Sequence, residues 1–153
     1  NLSPQRIQNT SVKFLCAHTC DITGAKSTAF RSGDDLLLEI FYESKIAAPD
    51  SVFIIKLTSQ ELGEFGSFTN RAVGQRIPIS IGPGKVTVRL RNLPLLAGNY
   101  GLQVHLYDAC KKTFWDQAVP ACTFDITEPV PEIWKEFHTL RIQHDWIVNP
   151  QPD

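Results

Sequence analysis

The chain has 153 residues, 42% hydrophobic and 20% charged, with a formal net charge of -1. That length fits one domain burying roughly two-thirds of its unfolded surface and is short for two ordinary ones. A near-neutral chain has no global basic field to attract phosphate backbones, which excludes nucleic acid as the expected partner, and no apolar run approaches the ~20 residues of a membrane-spanning helix.

In chain order, residues 1 to 9 read as a polar lead-in. With no Met in the sequence, they are expected to link to a domain upstream. Residues 10 to 148 are expected to form a single domain. Its first strand spans residues 11 to 19, with Val12, Phe14 and Cys16 facing inward. Turns at residues 21 to 26 and 30 to 35 lead to a strand over residues 36 to 43. Leu36, Leu38, Ile40 and Tyr42 form its apolar face, and Leu37, Glu39, Phe41 and Glu43 alternate on the other, the period-two pattern of a strand. The next strand, residues 52 to 58, turns Phe53, Ile55 and Leu57 one way and is apolar enough on both faces to be central.

A short strand at residues 65 to 69 is interrupted by Gly66, and the turn-rich stretch from residue 70 to 83 crosses between sheets. Val86, Val88 and Leu90 point inward from a strand over residues 85 to 90. Pro94 and Ala97-Gly98-Asn99 then mark a tight bend. From Asn99 the alternation is strict, with Tyr100, Leu102, Val104 and Leu106 inward and Gly101, Gln103, His105 and Tyr107 outward. Two further strands are expected at residues 113 to 117 and 123 to 127. Short alternating strands punctuated by turns, with no helix-period run before residue 130, indicate an all-β fold: an antiparallel β-sandwich of about seven to nine strands. Pro129 and Pro131 open a linker, residues 128 to 138, that could hold one helical turn. It tethers a terminal strand at residues 139 to 142 ahead of a tail at residues 149 to 153. A strand on its own linker can cross to a second copy, so a homodimer by C-terminal strand exchange is expected. Trp115 and Trp146 read as core or interface anchors.

Four cysteines, Cys16, Cys20, Cys110 and Cys122, allow three pairings in an oxidising compartment. Cys16-x-His18-x-Cys20 suggests a metal cluster, but alternate Cβ atoms on a strand are ~6.5 Å apart, too wide for one tetrahedral zinc unless the strand breaks. No metal and no cofactor are expected. Catalytic sets are weak: there is no Gly-x-Ser-x-Gly elbow, phosphate-binding glycine loop or His-Glu-x-x-His. Glu39 and Glu43 lie ~13 Å apart by strand rise, too far for a glycosidase pair. A binding face is better supported. If the strands at 36 to 43, 85 to 91 and 100 to 107 share a sheet, its outer surface gathers Glu39, Phe41, Glu43, Thr87, Arg89, Arg91, Gln103, His105 and Tyr107. Aromatic rings beside planar polar groups suit a sugar, and the two arginines suit an anionic substituent.

The order Phe30-x-Ser32-Gly33-Asp34, an apolar strand ending in Tyr42, Phe53-x-Ile55, Phe65-Gly66-x-x-Thr69-Asn70, Leu93-Pro94-Leu95-Leu96-x-Gly98-x-Tyr100 and Leu106-Tyr107-Asp108 resembles the C-terminal domain of Wzt-type proteins. These are the nucleotide-binding subunits of ABC transporters that export O-antigen polysaccharide. The likeness runs over about residues 10 to 147. It implies an Ig-like or jelly-roll-like sandwich that is not an enzyme and binds the exported glycan, in some systems at a modified non-reducing end. It also implies an ATPase domain before Asn1, a membrane transporter subunit as partner, a cytoplasmic location at the inner membrane, and reduced cysteines. The resemblance does not map ligand contacts residue by residue; the ligand-binding candidates, read from the outer sheet face, are Glu39, Phe41, Arg89, Arg91, Gln103, His105 and Tyr107. The alternative is a structural Ig-like module for dimerisation or protein docking.

Overall fold

The computed structural model describes residues 11 to 128, 139 to 142 and 144 to 147. Among these residues are eight strands: β1 (Val12–Cys20), β2 (Ala29–Arg31), β3 (Leu36–Ser44), β4 (Ser51–Ser59), β5 (Gly63–Thr69), β6 (Gly82–Leu90), β7 (Gly98–Asp108) and β8 (Thr113–Thr127), with one 3-10 turn at Arg71–Val73. They form a three-stranded sheet, β1-β3-β6, and a five-stranded sheet, β2-β8-β7-β4-β5. Every pairing is antiparallel except β2 with β8. The expected β-sandwich is thus the observed architecture. The candidate helical turn in the linker lies outside the described residues.

Alternation explains the core. Leu36, Leu38, Ile40 and Tyr42 of β3, Phe53 and Ile55 of β4, and Tyr100, Leu102, Val104 and Leu106 of β7 are all buried and meet between the sheets. Trp115 is buried there as well. The Pro94 bend works as read: Leu93, Leu95 and Leu96 are buried, and the Tyr100 hydroxyl donates to the Leu96 carbonyl at 2.7 Å.

Four expectations need correction. Phe30 belongs to a short strand, β2, because its buried ring packs edge-on against Phe124, 6.1 Å between centroids, at the rim of the sheet. The two strands expected after residue 112 are one 15-residue strand, β8. A register shift against Leu102 and Val104 absorbs the extra residues around Pro120, as bulges commonly do for proline. Cys16 is exposed, not buried. A bulge between Phe14 and Cys16 shifts the pleat by one residue, so Ala17 pairs with Ile40 and His18 with Glu39.

The fourth correction concerns the site. β3 and β6 do pair, with Leu37 opposite Arg89 and Glu39 opposite Thr87, but β7 lies in the other sheet between β4 and β8. The chain changes layers through the Leu93-Pro94-Leu95 bend, whose two leucines are buried, so Glu39, Phe41 and Arg89 cannot share a face with Gln103, His105 and Tyr107.

The two long sides of the sandwich differ. On the β1/β8 side the fully buried Asp116 reaches across, and its Oδ2 accepts from the Phe14 backbone N–H at 2.7 Å while Oδ1 accepts from the Gln117 N–H at 2.8 Å. On the opposite side β5 pairs only with β4 and β6 only with β3. Between these edges lies a largely apolar cleft of about 790 Å³, lined by residues such as Leu57, Phe65, Phe68, Val86, Val88 and Leu140. Residues 139 to 141 hold to their own chain at its rim: Leu96 N–H donates to Thr139 O and Arg141 N–H to Pro94 O. No helix among the described residues is long and apolar enough to cross a membrane.

Candidate functional site

The sequence-predicted residues divide between two outer faces. On the three-stranded sheet, the bulge in β1 brings His18 beside Glu39 and Cys16 beside Phe41. The His18 and Phe41 rings lie 5.3 Å apart at 34°, and the Lys85 ammonium sits 5.5 Å over the Phe41 ring, a cation–π arrangement. Glu39 accepts from the Cys20 thiol at 3.0 Å and pairs with Lys85. Those two hydrogen bonds hold the Glu39 carboxyl down to about 2, while burial and the Glu39 carboxylate push the Cys20 thiol up to about 11. Arg89 gives Nε and Nη2 to Asp35 Oδ2 at 2.9 and 2.6 Å, and Asp35 Oδ1 accepts from the Asn92 N–H at 2.9 Å. That backbone donor, then Arg89, lowers the Asp35 carboxyl. Arg91 lies just past the end of β6 and is exposed.

On the five-stranded sheet, β7 lies between neighbours on both sides. Lys56 of β4 stands opposite Gln103, and Ile54 of β4 and Gln117 of β8 flank His105. This central position leaves Gln103 and His105 only 8% exposed although they point away from the core, so they form a floor rather than a fringe. His105 Nε2 lies 3.2 Å from Gln103 Oε1. Burial, then the Lys56 charge, lowers the His105 pKa, so its imidazole favours the neutral form. At one end the half-buried Tyr107 packs edge-on against Phe114, 5.2 Å between centroids at 66°. At the other, Gly101 faces Thr58, whose Oγ1 leaves no room for a Cβ. Lys56 and Glu64 form an ion pair at 3.3 Å on the rim.

The arrangement is a strip of neutral, planar hydrogen-bonding groups ending in an aromatic pair. Gln103, His105 and Tyr107 were legible from alternation within β7. Phe114, Gln117 and Lys56 were not, because only the sheet register brings them alongside. Glu39, Phe41 and Arg89 belong to the other face, where each is engaged by a neighbour.

No protein-family model matches the chain, and no curated protein matches it in sequence. Solved structures do match it. One is the crystal structure of the C-terminal domain of wzt, with a TM-score of 0.83 over 97% of this chain and 90% of that one, at 11% identity. The chain has the fold of a Wzt C-terminal domain. In this chain the bend at Leu93 to Tyr100 delivers β7 to the middle of the larger sheet.

Proposed function

We propose that the chain is a non-catalytic carbohydrate-binding domain that recognises an O-antigen-type polysaccharide for export by an ABC transporter, working on the cytoplasmic side with a membrane transporter subunit as partner. The observation that carries this reading is the strip of Gln103, His105 and Tyr107 on the five-stranded sheet, flanked by Gln117 and Phe114. A sugar offers hydroxyls in fixed directions and a C–H face. An amide, a neutral imidazole and a phenol side by side supply both donors and acceptors for the hydroxyls, and the ring edges supply apolar contact. The Wzt-type fold supports the same reading. Catalysis is not proposed: a carboxyl held at about 2 by Cys20 and Lys85 suits neither a general acid nor a strong general base near neutral pH.

The test is titration of the chain with O-polysaccharide from its own source, with the terminal modification intact and removed. His105→Ala and Tyr107→Ala should each weaken binding about tenfold, the worth of roughly 1.4 kcal/mol, while Arg91→Ala on the other side of the sandwich leaves it unchanged. Unaltered affinity in a folded His105→Ala/Tyr107→Ala double variant would remove this face as the site. Binding only to intact ends would make the domain an end reader.

A specific observation also favours a homodimer with exchanged C-terminal segments. Ile142, Trp146 and Ile147 are 76, 84 and 87% exposed, and they follow Leu140, which lines the apolar cleft between β5 and β6. We propose that this segment lies along the corresponding cleft of a second copy.

A further inference from the structure

The bulge that corrected Cys16 also assembled a cluster unrelated to the glycan face. His18 and Cys20 project from the same side of β1, and Glu39 stands directly opposite His18 on β3. The ligand-type atoms of all three lie within 4.8 Å of one another. Glu39 Oε1 is the common point, 3.0 Å from Cys20 Sγ and 3.6 Å from His18 Nε2. Bond lengths to zinc of about 2.3 Å for sulfur, 2.0–2.1 Å for imidazole and 2.0–2.2 Å for carboxylate place neighbouring ligands of a tetrahedral ion about 3.3–3.6 Å apart. The His18–Glu39 separation is near that spacing; an ion has to widen the Cys20–Glu39 contact by about half an ångström, as loss of the thiol proton allows, and to draw His18 and Cys20 together. From the sequence, Cys16, His18 and Cys20 along one strand are spread too widely for one tetrahedral zinc; the structure turns Cys16 away and supplies Glu39 from the neighbouring strand instead.

We infer that His18 Nε2, Cys20 Sγ and Glu39 Oε1 form a three-ligand site for a divalent cation of the zinc class, with the fourth position open to solvent. The donor set decides the class. One thiolate, one imidazole and one carboxylate suit Zn²⁺ and its close neighbours and disfavour Ca²⁺ and Mg²⁺, which take oxygen-only shells. The surroundings are arranged for it. Cys20 is fully buried, which shields the thiolate bond, while the His18 side chain is 27% exposed and leaves a path for the ion. Glu39 Oε2 is held by Lys85, so the carboxylate is fixed by an outer partner while Oε1 stays turned toward the cluster. The Phe41 ring against His18 restricts the imidazole in the same way. Binding replaces the S–H bond of Cys20 with a metal–sulfur bond and releases one proton to solvent per ion, with no change of oxidation state.

The experiment is titration of the reduced 153-residue chain with Co²⁺, followed by its displacement with Zn²⁺. One equivalent should give near-ultraviolet thiolate-to-cobalt charge-transfer absorption, and Zn²⁺ should abolish it. Cys20→Ser should lose that absorption and Cys16→Ser, at the exposed thiol of the same strand, should keep it. His18→Gln, a partly exposed position that tolerates the change, should weaken Zn²⁺ at least about tenfold in chelator competition. This second variant keeps the test valid if Cys20→Ser does not fold. A chain with no charge-transfer absorption, absorption that survives Cys20→Ser, or Zn²⁺ affinity unchanged in His18→Gln would overturn the inference. Glycan titration does not enter any of these readouts.

Discussion

The cross-strand pair of Tyr42 and Gly84 tests whether the smaller sheet is packed as described. The two residues are partners in the β3–β6 register, and the Tyr42 ring lies over the glycine. A Cβ at position 84 would stand closer than 3.0 Å to Cζ, Cε2 and Oη of that ring, a separation that real Cβ atoms essentially never show. The ring has little freedom to yield, because it is 6% exposed and packs edge-on against Phe53, 5.9 Å between centroids. Gly84→Ala should therefore destabilise by ~1–3 kcal/mol through overpacking. Gly84 is not among the glycines with positive φ, so alanine meets no backbone strain there. Once the ring is gone the same change should be neutral or stabilise by ~0.4–1 kcal/mol, through the reduced entropy of the unfolded chain. Urea unfolding of wild type, Gly84→Ala, Tyr42→Leu and the double variant measures the coupling, which should exceed ~1 kcal/mol. Additivity within ~0.5 kcal/mol would mean that the ring does not rest on Gly84 and that the β6 register is different.

Three further outcomes follow from the same geometry. Asp116→Leu removes the acceptor of the Phe14 and Gln117 N–H groups and should cost ~2–4 kcal/mol in urea unfolding, with Asp116→Asn costing less because an amide oxygen can still accept. The lowered pKa of His105 means that below its ordinary 6.5 the unfolded chain takes up a proton that the folded chain refuses. Its contribution is therefore complete above that value and declines as pH falls toward the folded pKa, and His105→Gln should flatten this part of a denaturation series from pH 8 to 5. A chain ending after Arg141 keeps the contacts of Leu140 and Arg141 but loses Ile142, Trp146 and Ile147; light scattering should find it monomeric where the full chain is dimeric.

The strands were legible wherever burial is one-sided or central. β3, β4 and β7 announce themselves because alternate side chains must enter one core, and that constraint is written into the residues themselves. Bulges are not written there. The single-residue shift after Phe14 turned Cys16 outward, and nothing in Val12 to Cys20 signals it; the Phe14 N–H beside the shift donates to an aspartate 102 positions away. Pro120 hid the continuity of β8 for the same reason: local chemistry says break, while the ladder to β7 continues on either side of a shifted register. Within each strand the candidate residues were grouped correctly, Gln103 with His105 and Tyr107, and Glu39 with Phe41. Joining the two groups required knowing which strands pair, and pairing across the Leu93 bend is decided by how both layers fill the core. The His18, Cys20 and Glu39 cluster was hidden twice over, by the bulge and by the pairing.

The division of the candidates between two faces also bears on what kind of sugar the domain would take. On the three-stranded face the charges are already matched: Arg89 with Asp35, and Glu39 with Lys85 and the Cys20 thiol. An anionic glycan entering there would have to break an existing pair and leave a carboxylate without its partner. On the five-stranded face Gln103, Gln117 and the neutral imidazole of His105 can exchange water for sugar hydroxyls with no ion pair broken. Arg89, which together with Arg91 suggests an anionic substituent, therefore loses that role, and the proposed site favours uncharged sugar residues. Ionic strength distinguishes the two cases, because screening weakens an arginine–anion contact and leaves hydroxyl and ring contacts almost untouched. Affinity for the polysaccharide should change less than about twofold when the Debye length is shortened from about 10 Å at 0.1 M salt to about 3 Å at 1 M. A steep fall over that range would return the site to the arginines.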